Sequence, residues 1–292
     1  MKYTLRQLEV FLATAREGNV SKAAEQLSMS QSAASGALQD LEQRYSTRLF
    51  DRVGKRLRLN GQGKALQPLV ASLLGQAAEV EQLLQQNEPS GELKVGATMT
   101  IGNYLAVPIL TRFRRDFPDI SIHLHIANTT SIAQQVLNFD LDIGLIEGEY
   151  AHEDLQVGAW RDDELTVFCS PSHPYVNKRT LKEKDLVSAQ WILRERGSGT
   201  RQTFDRAMQG LQNRINIFLE LEHTEAIKQA VAGAAGLGCL SKIALQDEIA
   251  SGKFVALATP GLDMHRKFYF ILHAQKYRGS SLERWLDYCQ RD

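Results

Sequence analysis

The chain has 292 residues, 43% of them hydrophobic and 23% charged, with 34 Lys and Arg against 34 Asp and Glu. That length suits about two domains, and the composition excludes a chain disordered throughout. No apolar run of about 18 residues occurs, and charges at Lys2, Arg6, Glu9, Arg16 and Glu17 interrupt the N-terminus, so neither a membrane span nor export is expected and the cytoplasm is the expected compartment.

The charge is unevenly placed. Residues 1–60 carry ten Lys and Arg against six Asp and Glu, a net of +4, which points to a polyanion at that end. Leu5, Leu8, Phe11, Leu12 and Ala15 recur at helical spacing, and Gly18-Asn19 ends that helix. Ser21 is then expected to cap a second helix carrying Ala23, Ala24 and Leu27. After the turn at Ser28-Met29, Ser30 caps a third with Ala33, Ala34, Ala37, Leu38 and Leu41. Two short helices joined by a tight turn describe a helix-turn-helix. The run RVGKRLRL around Gly54 reads as a hairpin, a wing with Lys55 and Arg56 at its tip.

The spaced set Ala23-Ala24, Leu27, Ser30-Gln31, Ala33, Ser35, Leu38, Leu41-Glu42 and Leu49-Phe50 with Arg52 resembles the N-terminal domain of the LysR-type transcriptional regulators. Ser32 and Ser46 stand where that pattern favours proline and glycine. The similarity runs the length of the chain, and the segments IGNYLAVPIL, DIGLIEG and WILRERGSGTR resemble a YeiE-like branch. The resemblance implies double-stranded DNA as partner and regulation rather than catalysis. Ser21, Gln31, Ser32 and Ser35 are the expected groove-facing residues, with Arg52, Lys55 and Arg56 holding phosphates or reaching the minor groove.

Residues 61–88 space Leu66, Val70, Leu73, Ala77, Val80 and Leu84 by alternating fours and threes. That is a 3.5-residue seam. The resemblance makes it a linker helix pairing two subunits, and implies a tetramer through the C-terminal domains and RNA polymerase as a further partner. Pro68 predicts a kink, and Pro89-Ser90-Gly91 a hinge.

From residue 92 strands and helices alternate. Strands are expected at 93–97, 120–126, 142–146, 165–169, 191–193, 217–221, 238–240 and 268–272. Helices are expected at 104–117, 131–139, 201–210, 224–234, 243–251 and 281–290. The alternation implies α/β units on a mainly parallel sheet. The expected fold is thus α/β overall: an N-terminal all-α winged helix-turn-helix over 1–60, the linker helix over 61–88 and an effector domain over 89–292. The resemblance makes that domain a pair of Rossmann-like subdomains, type 2 periplasmic-binding-protein-like. Lobe I is 92–163 with 268–292 and lobe II is 164–267, joined by strands crossing near 162–166 and 264–268.

Four strand-to-helix turns carry the chemistry. Arg194-Glu195-Arg196-Gly197-Ser198-Gly199-Thr200-Arg201 combines glycines, hydroxyls and a helix N-terminus, an anion cradle. A plain cap explains Ser198 or Thr200 singly, but not both glycines with flanking arginines. It lacks the Gly-Lys-Ser/Thr of a nucleotide P-loop. Thr98-Met99-Thr100-Ile101, Thr129 to Ser131 and Thr224 stand at the other turns, and Glu147 borders the same edge. In an α/β sheet these converge where ligands bind. The candidate effector residues are therefore Thr98, Met99, Thr100, Ile101, Thr129, Ser131, Glu147, Arg196, Ser198, Gly199, Thr200 and Thr224. The expected ligand is a small oxyanion; the resemblance to YeiE-like regulators points to sulfite or another sulfur oxyanion, with a small carboxylate second. No cofactor is expected. His123 and His125 share one strand face and are expected to meet solvent. Cys169, Cys239 and Cys289 form no CxxC. An alternative, a small-molecule-binding or transferase-like enzyme with an accessory helical domain, finds no arranged nucleophile and base.

Overall fold

The computed structural model describes residues 2–54, 56–84, 91–178 and 180–291. Lys55 and the Pro89-Ser90 part of the expected hinge lie outside the described residues.

The winged domain opens with α1 (Leu5–Glu17), held by a reciprocal cap between Thr4 and Gln7 and ended by left-handed Gly18. Helix α2 (Val20–Gln26) is capped by Asn19, whose side chain accepts from the amides of Ser21 and Lys22. This corrects the expectation for Ser21: the asparagine after the stop glycine takes the cap, and Ser21 moves into the first helical turn. Ser30 caps α3 (Gln31–Arg44), accepting from Ala33. Leu8, Phe11, Leu12, Ala24, Ala34, Leu38 and Leu41 close one core with Phe50. The wing is the antiparallel pair β1 (Phe50–Val53) and β2 (Arg56–Leu59). It is tied to the end of α1 by the Leu57 amide on the Gly18 carbonyl at 2.9 Å.

After α3, the Ser46 amide reaches Gln43 and the Thr47 amide reaches Glu42, the paired bonds of a Schellman turn. Ser46 stands in the left-handed region with φ 49°, which costs an L-residue roughly 1–2 kcal/mol. Ser46→Gly is expected to raise stability by about 1 kcal/mol in a denaturant melt; a lower midpoint would contradict that reading of the turn.

Helix α4 (Gly61–Leu84) continues through Pro68 as one helix. The expected seam divides along it. Val70 is buried in the winged domain's own core, with Leu66, Leu73 and Leu74 packed beside it. Farther on, Tyr277 of the C-terminal domain lies against Gly75 and donates to Glu79. Leu69, Val80, Leu83 and Leu84 stay exposed.

The C-terminal domain is built on β3 (Gly91–Ala97), β4 (Ile120–Ile126), β5 (Ile143–Glu147), β6 (Leu155–Cys169), β7 (Gln190–Arg194), β8 (Asn216–Leu221), β9 (Leu237–Ser241), β10 (Val255–Leu257) and β11 (His265–His273). Between and after them run α5 (Val107–Asp116), α6 (Thr129–Leu137), α7 (Glu183–Ser188), α8 (Gly199–Ala207), α9 (Thr224–Ala232), α10 (Lys242–Ala250) and α11 (Ser280–Arg291). The sheet order among these strands is β4-β3-β5-β11-β6-β9-β7-β8, with β10 on β6. It is mixed rather than mainly parallel. β3 is parallel to β4 and β5, and β7 to β8 and β9, while β6, β10 and β11 make antiparallel pairs.

Strand β6 changes partner along its length, pairing β11 up to Glu164 and β9 from Leu165. That change divides the domain into two lobes, each with its own core: Trp285, Phe113 and Ile143 in lobe I, and Trp191, Phe204 and Leu165 in lobe II. The first half of β6 escaped the sequence reading because its residues are largely exposed and a run of charges, Arg161 to Glu164, follows it. The expected helix 104–117 is a π-helical turn, Ile101–Ala106, followed by α5. Pro108 has no N–H to give the Tyr104 carbonyl, which breaks the regular ladder there.

Candidate functional site

The DNA-contact candidates of the winged domain that the structure describes are polar and lie on α2, α3 and the wing. Gln31 and Ser32 open α3, with Ser35 half-buried one turn on, and Ser21 is exposed on the first turn of α2. Residues 31, 32 and 35 share a helix face by their spacing. Ser32 is held near Ser30, hydroxyl to hydroxyl at 3.1 Å. Arg52 and Arg56 are exposed on the wing. This geometry offers side chains to a groove and cations to flanking phosphates.

Between the lobes the central residue is Glu147, 1% exposed at the end of β5. Its Oε1 accepts from the Thr100 amide at 2.7 Å. Its Oε2 accepts from Thr200 Oγ1 at 2.9 Å and from Arg266 Nη1 at 2.8 Å. Burial works against the charge, but Arg266, Arg194 and the Thr100 bonds outweigh it and hold the carboxyl at about 2. Arg266 is shared: Nε donates to Asp163 Oδ2 at 2.6 Å, and Asp163 in turn accepts from Ser241. Thr129 donates to the Glu147 carbonyl and accepts from the Gly199 amide at 3.2 Å. A Cβ on Gly199 would lie 1.9 Å from that same carbonyl oxygen, so only glycine lets α8 approach β5 this closely.

The candidate effector residues thus separate into groups. Thr100, Thr129, Glu147, Gly199 and Thr200 form one interlocked cluster, in which an internal carboxylate already occupies donors expected to hold a ligand. Thr98 and Thr224 are buried with hydroxyls that have no hydrogen-bond partner among the described residues, and Arg266 Nη2 is likewise without one. Arg196, Gly197, Ser198 and Thr129 line a cavity of about 580 Å³ whose walls come from both lobes. Met99 is half-buried.

Two residues depart from expectation. Ile101 is fully buried in the lobe I core, so its side chain is packing, not ligand contact. Ser131 accepts from Gln135, which also meets His125. Asn128 caps α6 and starts it two residues early, which turns Ser131 about 200° away from Thr129. His123 and His125 are exposed, as expected.

Arg266, Asp163, Lys228 and Tyr104 were not singled out from the sequence. Arg266 carried a signal: in HRKFYFILH it is in phase with Phe268 and Phe270, the buried face of β11, and a cation in that phase needs a buried partner. Lys228, 3% exposed on α9, donates to Glu248 at 2.6 Å and to Tyr104 Oη across the lobe junction at 3.0 Å. Burial opposes its charge, but Glu248, Tyr104 and Glu225 raise its pKa above the ordinary lysine value.

Residues 5–64 match the family described as "Bacterial regulatory helix-turn-helix protein, lysR family", and residues 86–292 match "LysR substrate binding domain". The chain is 41% identical over 289 residues to the "Uncharacterized HTH-type transcriptional regulator YeiE" of Escherichia coli (strain K12), covering 99% of this chain and 98% of that one. A full-length OxyR variant from Pseudomonas aeruginosa superposes with a TM-score of 0.78 at 22% identity, covering 99% of this chain and 95% of that one. The Synechocystis CcmR regulatory domain, solved with 2-PG, gives 0.64 at 27% identity over 69% of this chain and 97% of its own. The enzyme alternative falls away with these matches. A winged helix-turn-helix followed by a long helix and a two-lobed α/β domain, matched along nearly its whole length, places the chain in the LysR family of DNA-binding transcriptional regulators.

Proposed function

We propose that this regulator binds its operator as a dimer, or a tetramer built from dimers, and changes its DNA affinity when a small oxyanion settles between the two lobes. The observation that carries the ligand reading is that, of six buried side-chain atoms without a hydrogen-bond partner among the described residues, three belong to the strand-to-helix turns and the crossing strand of the effector domain: Thr98 Oγ1, Thr224 Oγ1 and Arg266 Nη2. Each such group costs about 1–3 kcal/mol while unmet, and a ligand offering acceptor oxygens relieves those it reaches. Glu147 then acts as an internal anion that pre-orients Thr100, Thr200 and Arg266 rather than as a ligand contact. On the resemblance to YeiE-like regulators, a sulfur oxyanion is the first proposed ligand and a small carboxylate the second. The titration that tests this uses sulfite, sulfate and acetate on wild type, Thr98→Val and Thr224→Val. Affinity is expected to fall about tenfold per lost hydroxyl bond, each 1.4 kcal/mol being tenfold. Binding indifferent to both changes would sink the ligand reading.

For DNA, Gln31, Ser32, Ser35 and Ser21 are the proposed groove contacts, with Arg52, Lys55 and Arg56 on the backbone. Gln31→Ala is expected to change sequence preference, with about 1–3 kcal/mol at stake in a lost bidentate contact. Arg56→Ala is expected to weaken all sequences alike and flatten the salt dependence by about one unit. Filter binding at several salt concentrations separates the two; an unchanged slope for Arg56→Ala contradicts the wing contact. The exposed apolar residues of α4, Leu69, Val80, Leu83 and Leu84, support its proposed role as the dimer helix. RNA polymerase is the proposed downstream partner.

A further inference from the structure

Among the described residues, the winged domain touches its own effector domain through few bonds. Arg16 Nη2 donates to the Phe139 carbonyl at 3.0 Å, and Gln67 Nε2 donates to the Asn138 carbonyl at 2.9 Å. Beside these lies a cavity of about 1150 Å³. Arg16, Arg58 and Lys64 line it from the winged helix and α4, and Asp140, Asp154 and Tyr150 from the effector domain. Opposite charges facing across a gap attract weakly and are screened by salt. Such an interface is poised to re-seat rather than rigidly locked.

One loop reaches this cavity from the lobe junction. Residues 148–154 follow Glu147 at the end of β5. Glu149 is clamped to lobe II: its amide donates to Gln202 Oε1 at 3.0 Å, its carbonyl accepts from Gln202 Nε2 at 2.9 Å, and its carboxylate meets Arg206 at 3.3 Å. The next residue, Tyr150, is a wall of both cavities, the one beside Gly197-Ser198-Gly199 and the one beneath the winged helix. At its far end the loop is fastened to the strand side of lobe I, the Ala274 amide donating to the Asp154 carbonyl at 2.7 Å.

We propose that the 148–154 loop, with Tyr150 as its shared wall, is the relay by which the state of the cleft reaches the DNA-binding domain. A shift of lobe II carries Glu149 with α8, because both main-chain groups of that residue are held there. Tyr150 follows, the wall of the lower cavity moves, and the lightly held winged helix re-seats on the 138–140 turn through Arg16 and Gln67. This is a two-state element of the hinge kind, biased from one site and read at another. It rests on the cleft and the winged helix having the roles proposed above, but its test uses neither DNA nor ligand.

The test is amide hydrogen exchange on the full chain, comparing wild type, Gln202→Ala, Tyr150→Ala and Arg16→Ala/Gln202→Ala. The reporters are the Gly18 amide, bonded to Thr14, and the Leu57 amide, bonded to Gly18, both beside Arg16. Gln202 is exposed and sits on lobe II, so its change leaves the cores intact. Gln202→Ala and Tyr150→Ala are each expected to speed exchange at both reporters at least threefold. In the Arg16→Ala background the Gln202 change is expected to add nothing. Reporters unmoved by Gln202→Ala and Tyr150→Ala, or a full additional Gln202 effect without Arg16, would overturn the relay. Failure of the ligand or operator titrations would instead count against the functional reading.

Discussion

Arg266→Met is expected to destabilise the effector domain by about 3–5 kcal/mol, the loss typical when one partner of a buried ion pair is removed. The change strands two carboxylates at once. Glu147 and Asp163, each with a side chain 1% exposed, both depend on this guanidinium. Arg266→Lys is expected to recover only part of the loss, since a single ammonium cannot hold both carboxylates in the same fork. The same cluster sets an acid limit. The Glu147 carboxyl is held at about 2, below its ordinary 4.5. Its contribution, about 3 kcal/mol by linkage, is therefore fully present above pH 4.5 and lost as pH falls from there through about 2. In Glu147→Gln that segment of the stability–pH curve is expected to flatten. Denaturant midpoints across pH check both statements, and a wild-type midpoint for Arg266→Met contradicts the first.

Leu69→Asp is expected to convert the proposed dimer into a monomer and lower operator affinity at least a hundredfold. Leu69 is 64% exposed on α4 beside the apolar groove between that helix and the winged domain. An aspartate there leaves the chain's own core untouched yet must be desolvated against a partner helix, which is expensive. A monomer cannot hold two half-sites one helical turn apart, so tight binding fails with the dimer. Leu83→Asp, farther along and 74% exposed, is expected to act in the same direction. Leu73 is a poorer test, because it packs on the chain's own winged core and its loss would mix folding with assembly. Light scattering with binding to the duplex that wild type selects from a random pool decides the matter. A dimeric Leu69→Asp protein with unaltered affinity contradicts the α4 seam.

The winged domain was legible in the sequence because its contacts are local and its periodicity unbroken: Leu8, Phe11, Ala24, Leu38 and Leu41 are both the spaced residues and the core. Capping was harder to place. Asn19 looked like part of a stop signal and is the cap of the next helix, and Asn128 displaced Ser131 in the same way. The seam of α4 showed a period but not which neighbour covers it, and the chain's own domain covers half. In the cleft, the residues read at the strand ends come together in part: Thr100, Thr129 and Thr200 all bond to Glu147. What could not be seen was that Glu147 would fill their donors, because that follows from Arg266, 119 positions away in the chain, which strand pairing brings to Glu147 and to Asp163 at once.

The most direct measurement is a crystal structure of the chain grown with sulfite, and in parallel with acetate. The account predicts an oxyanion between the lobes with oxygen atoms about 3 Å from at least two of Thr98 Oγ1, Thr224 Oγ1 and Arg266 Nη2, and with the Glu147 carboxylate still bonded to Thr100 and Thr200. An anion bound elsewhere, leaving those three groups without partners, or one that takes the place of Glu147 on Thr100 and Thr200, would contradict it.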